Sequence, residues 1–358
     1  MKKSLTVLTL VGARPQIIKA ATLSRAFRQS GIREIFAHSG QHYDHGMSGI
    51  FFDELELPPI DFNMNVGSGL HGQQTGRILE RFEQILLDQK PDVVLVHGDT
   101  NSTLAGAIAA VKLQIPIAHN ESGLRSFNRS MPEEHNRILT DHCADLLFCP
   151  TATAVSQLAS EGITRGVHLV GDVMYDLHLH ILAKAESSSK ILSEHNLTAG
   201  KYILSTLHRP YNVDDPQRLR SIFQSLSDTG EIIVLPIHPR TQAKMDECGI
   251  APAANIKLIA PVGILDMIVL EKNARMILTD SGGIQKEAYF AGVPCVTMRP
   301  ETEWVETVET GWNCVVGADP AAIADAVSTH WWSDVQPPLF GDGKAGEKIA
   351  KILLKTYS

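Results

Sequence analysis

Short hydrophobic runs alternate with amphipathic segments along the whole chain, in two series. The first series is LTVLTLV, REIFAHS, DVVLVHG, IPIAHN, DLLFCPT and VHLVGD, and the second is YILSTLH, EIIVLPIH, NIKLIAP, ARMILTD, PCVTM and NCVVG. Segments between the runs, such as QIIKAATLSRAFRQSG and QTGRILERFEQILLDQK, have helical periodicity. Unbroken β-branched runs that alternate with helices are typical of parallel sheets covered on both faces. The pattern predicts an α/β protein with two Rossmann-like, doubly wound domains.

The chain length fits this division. A chain of 358 residues is long enough for two domains, each with its own core. The polar, turn-rich stretch SSSKILSEHNLTAG follows the first series, so the boundary is expected near 170–200. We assign 1–172 to an N-terminal domain and 173–358 to a C-terminal domain, with the last helix as a candidate to pack back on the first domain.

Composition and charge narrow the classes of function. A net charge of −8 argues against nucleic acid as a general partner. No hydrophobic stretch reaches the ~20 residues of a membrane span. The start, MKKSLTVLTLVGA, leads directly into RPQIIKA, so we interpret it as a buried strand and not as a signal peptide. The five cysteines are scattered and show no paired spacing, which predicts that they are reduced thiols. We expect a cytoplasmic protein with no membrane partner.

Polar motifs follow the predicted strands with regularity. They are GARPQ, SGQHYD, GDTNS, HNESGLRS, HRPYN, HPR and DSGG. In open α/β sheets, ligands bind outside the carboxyl ends of the strands. We therefore expect motifs from both domains to contribute to one interdomain cleft.

The DSGG motif indicates a phosphate site. Gly282 and Gly283 allow a close approach of the backbone, and Ser281 with the free N–H groups of a helix suits a phosphate. The alternative is an ordinary turn in which Asp280 or Ser281 caps the helix. Glu287 either accepts hydrogen bonds from a ribose diol or is a solvated helix charge. Neither a GxGxxG fingerprint nor a Walker loop is present in the sequence.

Basic residues accompany two other motifs. Arg14 and Lys19 follow the first predicted strand, and an arginine can bind two phosphate or carboxylate oxygens at once. A surface ion pair is the alternative for Arg14. His208 and Arg209 leave a strand of the second domain, where a phosphate role competes with a structural role for the histidine.

Carboxylates and arginines are concentrated between residues 121 and 137. Glu121 directly follows a buried strand, an unfavourable place for a carboxylate unless it is paired or catalytic. Asp99 also ends a strand, where an N-cap is its commoner use. Glu133 is four residues before Arg137, so a helix salt bridge is the alternative to a catalytic role. The cluster is therefore either a salt-bridged turn or an acid/base site.

A metal site is a weaker hypothesis for the same segment. His135 and His142 share a helix face beside Asp141, but this spacing matches no compact ligand pattern. We therefore predict no metal.

In this order, the motifs resemble those of the non-hydrolysing UDP-N-acetylglucosamine 2-epimerases over nearly the whole chain. The shared patterns are G-[AT]-R-P, GQH, GDT, H-x-E-[AS]-G-L-R, P-E-E-x-N-R, H-R and D-S-G-G-x-Q-x-E-A. The resemblance implies a GT-B arrangement of the two domains, a homodimer, and cofactor-free inversion at C2 of a UDP-2-acetamido sugar for cell-surface polysaccharides. In that reaction UDP is eliminated with the C2 proton and then added back, with a proton delivered to the opposite face.

The resemblance also assigns roles to residues. The family's acidic positions fall on Asp99, Glu121 and Glu133, and its histidine falls on His208, expected at the diphosphate. The expected substrate contacts are Arg14, Lys19, Arg137, Arg209, Ser281, Gly282, Gly283 and Glu287. The sequence does not assign a carboxylate to each face of C2.

Several positions depart from the common pattern. Trp304 stands where an arginine usually contacts the ligand, and Tyr211 stands in place of a glutamate. No glutamine for a second, activating UDP-N-acetylglucosamine aligns in the segment GSGLHGQQTG, although Gln41 and His42 remain. The segments TEWVE and RSFNRSMPEEHNR look more like the subgroup acting on UDP-2,3-diacetamido-2,3-dideoxy-glucuronate for O-antigen sugars.

Two other classes of function remain as alternatives. A retaining GT-B glycosyltransferase also binds a UDP-sugar with two such domains, but it would release UDP only with an acceptor and would not need three carboxylates in the first domain. A sugar-nucleotide-binding regulator would tolerate loss of those carboxylates.

Overall fold

The computed structural model describes residues 4–41, 57–329 and 331–358, with the side chain of Arg14 left out. The chain divides into two compact units. The first comprises Met1–Leu177 with Pro338–Ser358, and the second comprises His178–Pro337. Each unit has its own parallel sheet and its own hydrophobic core.

The first unit contains a seven-stranded sheet of order β3-β2-β1-β4-β5-β6-β7, with every described strand pair parallel. Its strands are β1 (Thr6–Val11), β2 (Arg33–His38), β3 (Phe62–Asn63), β4 (Val93–His97), β5 (Ile117–Asn120), β6 (Leu146–Cys149) and β7 (Val167–Leu169). Its helices are α1 (Arg14–Ser30), α2 (His71–Gln89), α3 (Asn101–Lys112), α4 (Pro132–Cys143) and α5 (Ala152–Ser160). The unit boundary lies within α6 (Val173–Ser188).

The second unit contains a six-stranded parallel sheet of order β10-β9-β8-β11-β12-β13. Its strands are β8 (Ile203–Thr206), β9 (Ile233–Pro236), β10 (Ile256–Ile259), β11 (Met276–Thr279), β12 (Cys295–Thr297) and β13 (Asn313–Val315). Its helices are α7 (Ile191–Glu194), α8 (Pro210–Val213), α9 (Pro216–Asp228), α10 (Pro239–Cys248), α11 (Ile264–Asn273), α12 (Gly282–Ala291), α13 (Val305–Glu309) and α14 (Pro320–Ser328). The last helix, α15 (Ala345–Tyr357), belongs to the first unit.

Both units bury their central strands completely. Every residue of β1 and β4 is buried, which explains why these strands are hydrophobic without alternation. In the first unit, helix α3 approaches the sheet closely at Gly106, where a Cβ atom would lie 2.6 Å from Cδ2 of Leu10. Helix α15 packs on α1, and Ile349 and Leu353 contribute to the core around Phe27.

The predicted fold class is confirmed. Each of the twelve hydrophobic runs contains one of the observed strands, and both strand orders are those of doubly wound sheets. The additional strand, β3, comprises only Phe62 and Asn63 and was not predicted, because the segment around it has no hydrophobic run. In the described ranges, no helix is long and apolar enough to cross a membrane.

Candidate functional site

In the first unit, the candidate site begins where β4 and β5 end side by side. The strands pair in parallel with His97 opposite Asn120, so Gly98 and Glu121 leave the sheet next to each other. Gly98 has a φ of 60°, and a Cβ atom there would lie 3.3 Å from Oε2 of Glu121 and 3.4 Å from Nζ of Lys19. A glycine at this position therefore lets the two strand ends and α1 converge.

Lys19 and Glu121 form an ion pair at this point. Their side chains are 13% and 10% exposed, so the pair is largely shielded from water. The backbone of Glu121 has a φ of 70°, which is uncommon for a residue other than glycine. Such a conformation persists where the surrounding structure imposes it, and it is frequent at active sites.

Asp99 and Arg137 form a second ion pair beside the first. Asp99 was an N-cap candidate, but Thr100 caps α3 by accepting a hydrogen bond from the N–H of Thr103. The side chain of Asn136 donates to the carbonyl of Asp99 at 3.0 Å. Helix α4 therefore holds the loop after β4 by two contacts with Asp99, one to its carboxylate and one to its backbone carbonyl.

Glu133 and Glu134 occupy different environments in the first turn of α4. Glu134 is buried, accepts hydrogen bonds from the N–H groups of Ser126 and Phe127 at 2.9 Å each, and pairs with Arg137 at 3.2 Å. Glu133 is only half-buried. Glu134 is thus bound to the loop before α4, whereas Glu133 remains partly accessible to solvent.

A buried network supports the first-unit site from behind. His119 donates to the carboxylate of Asp141 at 2.7 Å and to the carbonyl of Gly98 at 2.8 Å. Asp141 also binds Arg125 and the N–H of Gly123. Burial alone would raise the pKa of Asp141, but the hydrogen bonds and charges of His119 and Arg125 outweigh it, and the pKa is lowered.

Gln16 is a supporting residue that the sequence analysis missed. It is buried and accepts hydrogen bonds from the N–H groups of Gly12 and Ala13, at 2.8 and 3.1 Å. Its amide group donates to the carbonyl of His97 at 2.7 Å and to the hydroxyl of Thr103. Gln16 ties the GARPQ loop to the end of β4. Gln16 is the last residue of the GARPQ motif and the third residue of α1, but nothing in the motif indicated this role.

A cavity of about 600 Å³ lies beside this site in the first unit. The start of α2 and the start of α4 line it, with His71, Asn101, Arg129, His135 and Asn136 among the lining residues.

In the second unit, Asp280 organises the loop after β8. Its carboxylate is fully buried and accepts from the N–H groups of His208 and Arg209 and from the side-chain amide of Asn212, at 2.9–3.2 Å. Ser281, and not Asp280, caps α12. The sequence analysis considered Asp280 only as a cap and missed that it brings the HRPYN and DSGG motifs together.

The two motifs lie next to each other at the start of α12. The free N–H groups at the start of α12 favour anions. The imidazole of His208 lies 3.4 Å from the carboxylate of Asp280. Burial lowers the pKa of His208. The charge of Asp280 raises this pKa, whereas the charges of Arg209 and His238 lower it. Nε of Arg209 is buried without a hydrogen-bond partner in the described part of the chain, so it is available to an anionic ligand.

Trp304 lies against the first residue of α12. A Cβ atom on Gly282 would be 3.8 Å from Nε1 of Trp304 and 3.7 Å from the guanidinium of Arg299. Trp304 is 4% exposed, and the ammonium of Lys286 lies 4.3 Å from the centre of one of its rings. A cation at that distance from an aromatic face is attracted to it.

The predicted residues thus form two sets, one in each unit. Lys19, Glu121, Asp99 and Arg137 lie together in the first unit. His208 and Arg209 join the residues 281–283 in the second unit through Asp280, and Glu287 follows on α12. The side chain of Arg14 and the whole of His42 lie outside the described residues.

The histidines considered for a metal have other partners. Nε2 of His135 bonds to the carbonyl of Arg129 at 2.9 Å, and Nε2 of His142 lies 3.5 Å from Glu161. Among the residues that the structure describes, no group of three or more His, Cys, Asp or Glu side chains is arranged to hold a metal ion.

The sequence model of the UDP-N-acetylglucosamine 2-epimerases matches residues 25–354. The chain belongs to this family. The family's members are sugar-nucleotide 2-epimerases, which are isomerases acting on carbohydrates. The family resemblance inferred from the motifs is confirmed.

Individual relatives in the epimerase family match over nearly their whole length. A UDP-N-acetylglucosamine 2-epimerase homolog of Methanococcus maripaludis is 51% identical over 97% of this chain and 99% of its own. A UDP-2,3-diacetamido-2,3-dideoxy-D-glucuronate 2-epimerase of Pseudomonas aeruginosa is 48% identical over 98% and 99%. The structure of Methanocaldococcus jannaschii UDP-GlcNAc 2-epimerase in complex with UDP-GlcNAc and UDP superposes with a TM-score of 0.90 at 43% identity, over 98% of this chain and 100% of that chain.

Removal of the Asp280 carboxylate should destabilise the second unit. Asp280→Ala removes the acceptor of two backbone N–H groups and one of the two acceptors of the Asn212 amide, and we expect a loss of about 3 kcal/mol in the free energy of unfolding, with a smaller loss for Asp280→Asn. Urea unfolding measures both. Asp334→Ala, at an exposed aspartate, is the control. Equal midpoints for Asp280→Ala and Asp334→Ala would contradict the structural role of Asp280.

Proposed function

We propose that the protein inverts C2 of a UDP-2-acetamido sugar, converting UDP-N-acetylglucosamine to the manno isomer by elimination and re-addition of UDP. The observation that carries this proposal is the pair of ion pairs, Lys19 with Glu121 and Asp99 with Arg137, at the ends of neighbouring strands in a member of the epimerase family. An acid/base site needs carboxylates held in place by buried partners, and both pairs provide that.

The carboxylates transfer the protons. The C2 proton is not adjacent to a carbonyl, so its removal needs a positioned base while the leaving UDP is stabilised. Asp99, Glu121 and Glu133 form the acid/base set. One carboxylate takes the C2 proton as the C1–O bond to UDP breaks, which leaves a 2-acetamidoglucal. UDP oxygen then bonds to C1 again, and a second acid delivers a proton to the other face of C2.

The remaining residues hold the nucleotide. His208, Arg209 and the N–H groups at Ser281, Gly282 and Gly283 bind the diphosphate, because these groups present donors and positive charge at a helix N-terminus. Glu287 accepts hydrogen bonds from the ribose hydroxyls. Arg14, Lys19 and Arg137 balance negative charge near the reacting carbon. No step in this scheme needs a redox cofactor, because the substrate and the product have the same oxidation state.

Solvent deuterium should enter the sugar at C2. In D2O, the elimination–addition mechanism replaces the C2 proton with deuterium in the product and in recovered substrate, and proton NMR detects the loss of the C2 signal. The reaction should need neither an acceptor nor a nicotinamide. Turnover without deuterium at C2 would refute the mechanism, and UDP release only with an added acceptor would favour a glycosyltransferase.

The three carboxylates should matter for turnover more than for UDP binding. Asp99→Asn, Glu121→Gln and Glu133→Gln should each lower kcat by about 10²–10⁴, the usual contribution of one proton transfer, with Kd for UDP little changed. Glu287→Ala should instead weaken UDP binding. Glu80→Gln, at an exposed glutamate of α2, is the matched control. Near-normal kcat in all three variants would make the cluster a salt-bridged turn.

A second candidate substrate is UDP-2,3-diacetamido-2,3-dideoxy-glucuronate. The Pseudomonas aeruginosa relative carries that name, and its 48% identity lies between those of the other two relatives described above. Trp304 lies beside the start of α12, and Tyr211 is 45% exposed with the guanidinium of Arg218 over its ring. Replacement of a glutamate by Tyr211 removes a charge that would repel an anionic sugar.

Competition between the two sugar nucleotides separates these candidates. If the uronate is the substrate, it should be turned over with the higher kcat/KM and should inhibit exchange on UDP-N-acetylglucosamine. In that case, activation by a second UDP-N-acetylglucosamine should be weak, because the segment GSGLHGQQTG offers no aligned glutamine. Sigmoidal, efficient turnover of UDP-N-acetylglucosamine with no use of the uronate would exclude the second candidate.

The resemblance to the epimerase family implies the assembly, and the composition of the sequence indicates the location. We expect a homodimer in the cytoplasm, where the sugar nucleotide is its partner. Light scattering of the purified protein measures the assembly directly.

A further inference from the structure

Glu271 is an acidic residue in a place without water. It lies near the end of α11, and its exposure is 0%. In the described residues, neither of its carboxylate oxygens accepts a hydrogen bond from an N–H group or a hydroxyl group. An ionised carboxylate in such surroundings is strongly disfavoured, so Glu271 needs either a cation or a proton.

The hydrogen bond that Glu271 does make is to another acid, Glu287 on α12. Helices α11 and α12 pack against each other in the second unit. Carboxylates only accept hydrogen bonds, so a bond between two of them requires that one keeps a proton. Burial disfavours charge most strongly on the less exposed partner. Glu271 is fully buried and Glu287 is only half-buried, which assigns the proton to Glu271.

The other titratable groups near Glu271 are Tyr202, Cys295 and Lys272. Burial raises the pKa of Tyr202, before β8, and of Cys295, in β12, and Glu271 adds to both shifts. On its own helix, Lys272 is exposed and its ammonium donates to the carbonyl of Ala291 at 3.3 Å. Burial, followed by the charge of Glu287, raises the pKa of Glu271 well above its ordinary value.

We propose that Glu271 is a positioning residue that, as a neutral acid, donates a hydrogen bond to the carboxylate of Glu287 and orients it toward the ribose of the nucleotide. This inference rests on the ribose contact proposed above for Glu287. Groups that hydrogen-bond to metal ligands fix the direction of the ligating side chains. A buried acid that holds a ligand-binding carboxylate acts in the same way.

Two substitutions separate positioning from packing. Glu271→Gln keeps a neutral donor of the same shape, whereas Glu271→Leu fills similar space without a donor. Glu271→Gln should bind UDP like the unaltered protein. Glu271→Leu should bind UDP about tenfold more weakly, the usual effect of losing one hydrogen bond to a charged group. Glu309→Gln, at an exposed glutamate of α13, is the control.

The probe for the ribose contact is 2′,3′-dideoxy-UDP, which lacks both hydroxyls. The unaltered protein and Glu271→Gln should prefer UDP over this analogue, and Glu271→Leu should lose most of that preference. Because a buried acid can often be replaced by an apolar residue without loss of stability, the Leu variant should still fold, and its Tm confirms this. A full preference for UDP in folded Glu271→Leu would overturn the inference.

A pH series of Tm tests the proton on Glu271. In the unfolded chain Glu271 titrates near 4.5, whereas the folded protein keeps its proton to higher pH. Folding therefore takes up a proton between these two pKa values, and the free energy of unfolding falls as pH rises through this interval. Glu271→Gln lacks this loss, so its Tm relative to the unaltered protein should increase above pH 4.5. A constant difference would mean that folded Glu271 is ionised and would overturn the inference.

Failure of the inference is distinguishable from failure of the proposed function. If the unaltered protein bound UDP and its dideoxy analogue equally well, Glu287 would make no ribose contact. Glu271 would then have no positioning role. Deuterium at C2 would still report the epimerase in that case. Absence of C2 exchange with an intact ribose preference would leave the positioning role standing.

Discussion

His119 is fully buried between the carboxylate of Asp141 and the carbonyl of Gly98, and this contact holds the ends of β4 and β5 in a fixed relation. Both neighbours accept hydrogen bonds, so both bonds form only when each ring nitrogen carries a proton. Gly98 precedes Asp99, and Glu121 follows two residues after His119. One imidazole ring therefore supports both the backbone just before Asp99 and the strand that leads to Glu121, whose φ of 70° is uncommon for a residue other than glycine.

In the second unit, a buried carboxylate holds the loop after a strand in place, whereas in the first unit a histidine does so. Asp280 uses its carboxylate to collect the N–H groups of His208 and Arg209 and the amide of Asn212. Its acceptor capacity is thereby used within the loop, so its negative charge is offset at close range by these donors. The side chains of His208 and Arg209 remain at the edge of the loop, beside the helix N-terminus. A buried acid thus holds the residues that we propose to bind the diphosphate.

The sheets could be predicted from the sequence because each central strand is buried on both faces and has to be hydrophobic throughout. The same reasoning could not find β3, since Phe62 and Asn63 form too short a strand to leave a pattern. The polar residues at strand ends were also visible, because Glu121 and Asp99 are conspicuous after hydrophobic runs. The supporting residues lie in the quoted motifs, but their supporting roles were not visible. Gln16, His119 and Asp280 act through contacts with residues distant in sequence, and spacing along the chain carries no information about such contacts.

The two ion pairs of the first unit differ in ways that bear on the proton transfers. Arg137 is bound to both Asp99 and Glu134, and a guanidinium keeps its charge and its fork geometry at any working pH. Lys19 is a compact cation on a flexible stem, so its contact with Glu121 is easier to rearrange. Glu121 is also the less exposed carboxylate, with 10% of its side chain accessible against 32% for Asp99. A carboxylate that is shielded from water and held by a movable cation changes its proton affinity most when a charged ligand competes for that cation. Within the proposed acid/base set, Glu121 is therefore the carboxylate whose ion pair a charged ligand can disrupt most readily.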